Sequence, residues 1–196
     1  MIAKLVCKNL IPGLCLLLGI AGCESRQAPS AAVATPDDAA RNTSDAPAGD
    51  CVANAFFKGR VSGAVQAELD VDRRRLSCEG GPRPDGEGAR LYFAIADERS
   101  AGLAVIVALP ELRRGQGGEE LAANVTLILE GEARFFSTQN QQTCWADIAA
   151  GEHLGGARYV TQGRLYCIAP LAEVGGMDSV SVGETEFRGV IDWGES

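Results

Sequence analysis

His153 is the only histidine in the chain of 196 residues, and it limits the chemistry that the sequence can support. One imidazole excludes a zinc site built on two histidines and leaves a single ring for any histidine-activated nucleophile. No serine lies in a G-x-S-x-G turn, and no serine stands three residues before a lysine. The sequence therefore predicts a domain that is not an enzyme and that uses no cofactor and no metal.

Acidic side chains provide the alternatives to this prediction. Asp70 and Asp72 share one face of a predicted strand, and Asp85 and Glu87 follow in a loop that could approach them. Such oxygen ligands suit Ca²⁺, although the regular D-x-[DN]-x-[DN]-G spacing of a calcium loop is absent. An enzyme with two catalytic carboxylates is the other alternative, and it would require a pair of acids that converge in one cleft.

Four cysteines fall in the predicted folded domain, and their spacing favours structural disulfides. An even number without a C-x-x-C motif is typical of two disulfide bonds in an exported protein. Cys144 lies 11 residues before Gly155, and Cys167 lies 11 residues after Gly156, so a hairpin turning at this glycine pair brings the two cysteines together. The sequence therefore predicts a Cys144–Cys167 bond and, from the remaining pair, a Cys51–Cys78 bond.

The same glycine pair predicts a turn with side chains suited to binding close to it. His153, Arg158 and Tyr159 are the candidate binding residues. The segment Gly156-Ala157-Arg158-Tyr159 resembles a loop motif of membrane-bound lysozyme inhibitors, although the tryptophan and the lysine-glycine pair that follow it in those inhibitors are absent here. This resemblance implies a loop that blocks a secreted hydrolase.

The elements that must position these residues have the pattern of an all-β domain. Apolar and polar residues alternate from Val61 to Asp72, which predicts a strand region with one face in water. Leu91–Ala96 and Leu103–Leu109 are apolar on both faces and are predicted as central strands, joined by a turn at residues 97–102. Eight to ten such strands predict a two-sheet antiparallel β-sandwich. Helical turns are predicted only near residues 110–121 and 147–150.

The first 22 residues have the architecture of a signal peptide. Lys4 and Lys8 give a basic start, and Leu10–Ile20 gives a short apolar core. This core is shorter than the ~20 apolar residues that a helix needs to cross a bilayer. We therefore expect residues 1–22 to be removed on export.

Ile20-Ala21-Gly22-Cys23 resembles the lipobox of bacterial lipoproteins. The resemblance implies cleavage before Cys23 and acylation of its thiol and amine, so that a lipid on Cys23 holds the chain in a membrane. Glu24 follows the cysteine, and by the same resemblance it implies export to the outer membrane. Residues 24–50 are rich in Ala, Pro, Ser, Thr and Asp, which predicts a disordered linker.

The folded domain is predicted over residues 51–196, and its charge restricts its partners. The whole chain carries a formal net charge of −8, and removal of Lys4 and Lys8 makes the mature protein more acidic still. The only basic run, Arg73–Arg75, lies directly after Asp72, so we expect no binding of nucleic acid. The sequence leaves the oligomeric state open.

A broader resemblance covers most of this domain. The strand-like segments Phe57–Gly63, Val160–Cys167 and Glu186–Gly189 resemble a wide group of secreted bacterial β-sandwich lipoproteins. This resemblance implies a fold, because the group shares no single activity. We therefore expect a non-enzymatic interaction or structural module of the cell envelope with a protein or glycan partner. The alternative expectation is a small-ligand binder or an inhibitor of a secreted hydrolase such as lysozyme.

Overall fold

The computed structural model describes residues 51–96, 102–139 and 141–194, which form thirteen strands and two single turns of 3-10 helix. The predicted signal peptide, Cys23 and the linker lie outside the described residues. Within the described residues no helix is long and apolar enough to cross a membrane. The strands are β1 Phe56–Gly63, β2 Ala67–Asp72, β3 Leu76–Pro82, β4 Ala89–Ile95, β5 Leu103–Leu109, β6 Gly118–Leu129, β7 Arg134–Ser137, β8 Cys144–Ile148, β9 Glu152–Gly155, β10 Arg158–Cys167, β11 Leu171–Glu173, β12 Ser179–Val182 and β13 Thr185–Asp192, and the 3-10 turns are Arg73–Arg75 and Glu130–Glu132.

The described strands join edge to edge in one antiparallel sheet. Its order is β3-β4-β5-β6-β7-β11-β12-β1-β13-β10-β8, with β2 paired to β1 and β9 paired to β10. The first half of the long strand β6 pairs with β8 and its second half pairs with β5 and β7. The predicted all-β, sandwich-like fold is confirmed. The prediction of eight to ten strands in two sheets is too low in number, because the described residues form thirteen strands, and the two layers are parts of one continuous sheet that curls over its core.

Glycines allow the two sides of the curled sheet to approach each other closely. A Cβ atom at Gly80 in β3 would clash with the carbonyl oxygen of Val190 in β13, and a Cβ at Gly189 would lie 3.1 Å from Cε1 of Phe93. The ring of Phe93 packs on those of Phe57 and Phe187 at centroid distances of 5.1 and 5.7 Å. Aromatic side chains therefore fill the core where the two sides of the sheet are farther apart. At Gly80 and Gly189 the two sides approach each other too closely for a larger residue.

Both predicted disulfide bonds are confirmed. Cys51 is bonded to Cys78 of β3, and Cys144 of β8 is bonded to Cys167 of β10. The second pair occupies directly opposite positions in the β8–β10 ladder. It thus clamps the base of a long hairpin that runs from β8 through β9 to β10.

The predicted helical turns are wrong among the described residues. Residues 110–117 form irregular turns, and β6 begins at Gly118. Asp147 lies within β8, where the inward-facing Ala146 and Ile148 are buried and the Asp147 carboxylate accepts a hydrogen bond from the backbone N–H of Glu120 at 2.9 Å. Pairing on both edges therefore stabilises a strand in a segment whose local sequence also suits a turn.

The segments predicted as central strands are β4 and β5, and each is paired on both edges. Only one of their faces packs on the core. On β4 the inward residues Leu91 and Phe93 are buried, whereas the outward residues Arg90, Tyr92 and Ala94 retain contact with water. The connecting turn predicted at residues 97–102 lies, except for Gly102, outside the described residues.

Arg134 fixes the turn between β11 and β12. Its Nε donates to Oε1 of Glu173 at 2.6 Å, and its Nη2 donates to Oδ2 of Asp178 at 2.7 Å. The guanidinium also lies 5.0 Å from the centroid of the Phe136 ring. The hydrogen bond from Arg134 lowers the pKa of Glu173 below its ordinary value of 4.5.

Replacement of Arg134 by glutamine is expected to remove part of the pH dependence of stability. A carboxyl group whose pKa is lower in the folded state stabilises the fold above its unfolded pKa and loses this contribution as the pH falls through the folded value. The free energy of unfolding of Arg134→Gln should therefore be lower than that of the parent chain at neutral pH and approach it in acid. Urea unfolding over a pH series measures the difference.

The control for this prediction is Arg164→Gln. Arg164 forms an ion pair with Glu184 at 3.4 Å, and both side chains are more than half exposed. Exposed ion pairs of this kind contribute little to stability. An equal loss in both variants, or a loss in Arg134→Gln that does not change with pH, would contradict the assignment.

Candidate binding site at the β9–β10 hairpin

The hairpin of β9 and β10 carries the predicted binding residues. Gly155 and Arg158 face each other across the two strands, and Gly156 and Ala157 form the turn between them. Gly155 and Gly156 have φ values of +107° and +59°, which other residues adopt at an energetic cost. The turn therefore lies one residue later than predicted, at Gly156 and Ala157, and the positive φ values of both glycines allow the chain to reverse there.

The carbonyl oxygen of Gly156 is bound by two side chains. Nη2 of Arg114 donates to it at 3.2 Å, and Nε2 of His153 lies 3.1 Å from it. Because a carbonyl oxygen only accepts hydrogen bonds, Nε2 of His153 carries the proton in this contact. Two donors therefore hold the carbonyl group of Gly156.

The ring of Tyr159 packs against two side chains at the hairpin. Its ring lies 5.0 Å from the ring of His153, and Cζ of Arg114 lies 5.8 Å from its centroid. Gly115 has a φ of +70°, and a Cβ there would lie 2.8 Å from Cε1 of Tyr159. Only glycine therefore fits between the loop that carries Arg114 and this aromatic ring.

Arg158 lines a shallow groove of about 400 Å³ beside the turn. Its Nε is buried and has no hydrogen-bond partner within the described residues. Arg158 is paired in register with Asp192 of β13, but the two side chains form no ion pair. The Asp192 carboxylate accepts instead from the backbone N–H of Gly194 at 2.9 Å.

The charge of this site differs from that of the rest of the described chain. Neither Arg114 nor Arg158 forms an ion pair with a described carboxylate, and the exposed Arg113 beside them also has none. Most of the other described cations are neutralised by a neighbouring acid, namely Lys58, Arg60, Arg74, Arg83, Arg134, Arg164 and Arg188. We call Arg114, His153, Arg158 and Tyr159 the tip cluster.

The structure places the ring of His153 against that of Tyr159, and it places Arg158 in the groove that Arg114 also lines. Arg114 is the member that sequence reasoning missed. Its signal in the sequence is the pair Arg113-Arg114 directly before Gly115, but no local pattern connects this pair with the hairpin 42 residues later.

The acidic residues considered for calcium are not brought together. Asp70 lies 3.3 Å from Nζ of Lys58, and Asp72 lies 2.9 Å from Nη2 of Arg74. Asp85 lies 2.6 Å from Nη2 of Arg83. The hydrogen bonds from Arg74 lower the pKa of Asp72, as expected for a carboxylate that is paired with a nearby cation. Among the described residues no group of three or more His, Cys, Asp and Glu side chains is arranged to hold a metal ion.

Comparisons with known proteins add no family to this description. No protein-family model, curated protein or solved structure matches the chain. The function of the tip cluster is therefore argued from its own chemistry. Two guanidinium groups that line one surface groove are suited to hold an acidic group of a ligand.

Proposed function

We propose that this chain is a lipid-anchored protein of the cell envelope whose domain is a non-enzymatic interaction module. The tip cluster binds an acidic group on a protein or glycan partner. The observation that carries this proposal is the pair Arg114 and Arg158, two guanidinium groups without a carboxylate partner beside one groove of an acidic chain.

The chemistry of the tip cluster supports binding of a carboxylate or a similar anion. A guanidinium offers parallel N–H donors that match the two oxygens of a carboxylate. Asp192 lines one side of the groove, so the acid of the partner is placed on the side of Arg114, where Coulomb repulsion is smaller. The hydrogen bonds to Gly156 and the packing on Tyr159 fix the tip beforehand, which lowers the entropy lost on binding.

The proposed anchor supplies the location of this activity. A lipid on Cys23 holds the chain in the outer membrane, and residues 24–50 act as a flexible linker. A linker of this length has a typical end-to-end distance of about 30 Å and a maximal reach of about 90 Å. The domain can therefore bind a partner in the same envelope without dissociating from the membrane.

Crosslinking in living cells tests the proposal. A photoreactive amino acid replaces Leu154, which is exposed and adjacent to the tip cluster, or Gln66, which is exposed between β1 and β2. We expect one recurrent adduct from position 154 and none of that mass from position 66. The double variant Arg114→Gln/Arg158→Gln should lose the adduct, because each charged hydrogen bond contributes roughly tenfold in affinity.

The control variant is Arg60→Gln. Arg60 is an exposed arginine that forms an ion pair with Glu68 at 2.9 Å, so its replacement removes a positive charge outside the tip cluster. It should retain the adduct. An adduct that survives the double variant, or that forms equally from position 66, would show that the tip cluster is not the binding site.

Inhibition of a secreted hydrolase is the second candidate function. It is favoured by the exposure of the hairpin, where His153 and Leu154 face water next to unpaired arginines. Glycoside hydrolases hold two carboxyl groups in a cleft, and a cationic hairpin tip is complementary to such a cleft. The purified chain should then inhibit lysozyme in proportion to its concentration, and Arg114→Gln/Arg158→Gln should not. Lysozyme activity that stays unchanged at saturating protein would exclude this candidate.

A further inference from the structure

The water-facing side of β4, β5, β7 and the second half of β6 carries many apolar side chains, where an exposed sheet face is normally polar. Its polar residues are Arg90, Tyr92, Asn124, Thr126 and Ser137. Burial alternates along these strands except at Ala104 of β5, which is fully buried although it occupies an outward position in the alternation. The other outward residues are identified directly from the structure. Arg90 is the only charged residue among the outward-facing residues of β4, β5, β7 and the second half of β6. Antiparallel sheets with one face in water usually alternate between apolar and polar residues. We call this surface the outer face.

The strand register places its apolar side chains in adjacent rows. Ala94, Ala104, Ile128 and Phe135 are consecutive cross-strand neighbours from β4 to β7. Val174 extends this row, because its backbone N–H donates to the carbonyl oxygen of Phe135 at 2.8 Å. Phe135 and Val174 are 43% and 55% exposed. A continuous apolar row across several strands is a feature of surfaces that bind another protein.

The next row of the outer face contains Tyr92 and Ile106. These two side chains line a shallow depression of about 540 Å³ together with Glu79 and Arg90. The Tyr92 hydroxyl donates to Oε1 of Glu130 at 2.9 Å. Burial partly desolvates the hydroxyl of Tyr92. This burial and the hydrogen bond to Glu130 raise the pKa of Tyr92 to about 12.

The charges at the edge of the outer face are self-complementary. Glu79 on β3 and Arg90 on β4 are both exposed, and neither forms an ion pair within the described residues. A two-fold interface presents the same patch from both copies, so an acid of one copy meets a base of the other. The outer face thus carries both partners of an intermolecular ion pair.

The area of the outer face is sufficient for a weak dimer. The four strands of the outer face and the adjoining β3, about 4.8 Å apart and with three outward positions about 7 Å apart, give a patch of about 500 Å² per copy, or about 1,000 Å² in total. This area is near the lower limit for a specific interface. The small side chains of Ala94, Ala104 and Ala108 allow another sheet to pack at the usual distance of about 10 Å.

We propose that the outer face docks on the same face of a second copy of this chain, with Glu79 of each copy paired to Arg90 of the other. The net charge of −8 opposes this association. Salt screens repulsion between exposed like charges. The dimer should therefore become stronger when the ionic strength is raised from a low value.

Sedimentation equilibrium of the purified full-length chain over a range of concentrations tests the proposal. The parent chain should show a reversible equilibrium between monomer and dimer. Ile106→Lys, in the outer face, should weaken the dimer by roughly tenfold or more, because a buried unpaired charge is costly. Leu154→Lys is the matched control: it exchanges an exposed leucine for the same cation on β9, outside the outer face, and should leave the equilibrium unchanged.

Charge reversal distinguishes a second copy from any other occupant. Glu79→Arg and Arg90→Glu should each weaken the dimer, whereas the double variant Glu79→Arg/Arg90→Glu should restore it. A parent chain that stays monomeric at every concentration, or a dimer that Ile106→Lys leaves intact, would overturn the proposal. Binding of the monomeric chain to vesicles of zwitterionic lipid, if Ile106→Lys abolished it, would assign the outer face to a membrane surface and would also overturn it.

Discussion

Replacement of Cys144 and Cys167 by alanine is expected to lower the free energy of unfolding by about 3.4 kcal/mol. The bond joins residues that are 23 positions apart, and the loop-closure entropy of an unfolded chain with such a crosslink corresponds to about this value. Cys144 is fully buried, so the variant also loses packing in the core. Urea unfolding of the oxidised parent chain and of the double variant measures the effect.

The pair Cys51→Ala/Cys78→Ala is the control for this prediction. Its sequence separation of 27 gives almost the same loop entropy, so the losses in stability should be similar. The two variants should differ at the tip cluster, because only the Cys144–Cys167 bond joins the arms of the hairpin that carries it. Crosslinking from position 154 should weaken only when that bond is removed, and an equal weakening in both variants would contradict this account.

Phe93→Ala is expected to destabilise the domain by about 3 to 5 kcal/mol, the range for a large aromatic side chain removed from a core. Phe93 is completely buried between Phe57 and Phe187. The walls of the sheet are held at a fixed separation by backbone contact at Gly80, so the cavity has little freedom to collapse.

Phe135→Ala is the matched substitution at an exposed position. Phe135 is 43% exposed on the outer face, and its removal should cost less than about 1 kcal/mol in a monomer. Thermal and urea unfolding of both variants provide the comparison. A loss of less than about 1.5 kcal/mol in Phe93→Ala would mean that the core repacks around the missing ring.

The disulfide pairing and the hairpin turn were predictable because both depend on local sequence. Two glycines with positive φ values mark the turn to within one residue, and register shifts along the hairpin bring Cys144 directly opposite Cys167. His153, Arg158 and Tyr159 could be placed at the hairpin for the same reason, since they flank the turn in sequence.

The contribution of Arg114 was not predictable from local pattern. It depends on a hydrogen bond to Gly156, and that contact forms only when the loop before β6 packs on the hairpin. The close fit of Gly115 against Tyr159 is part of the same long-range contact. The sequence shows that an arginine is present at position 114, but only tertiary packing determines that it borders the groove beside the hairpin.

The sheet topology shows a second limit of periodicity. The apolar pattern of β4 and β5 correctly predicted central strands, because strands paired on both edges are rich in β-branched and aliphatic residues. It also suggested that both faces are covered, and the described part of the chain covers only one. An apolar pattern predicts that a face of the sheet is buried. It does not predict whether another part of the chain or a partner molecule buries that face.

The Cys51–Cys78 bond determines where mechanical load enters the domain. Cys51 is the first described residue, and the bond connects it to β3. Tension along the preceding chain is therefore transmitted through sulfur to β3, which abuts β13 at Gly80. Val52–Ala55 and the start of β1 are bypassed, so a pull cannot peel β1 from its neighbours one hydrogen bond at a time. With the Cys51–Cys78 bond intact, β3 and the neighbouring β13 therefore resist such a pull together.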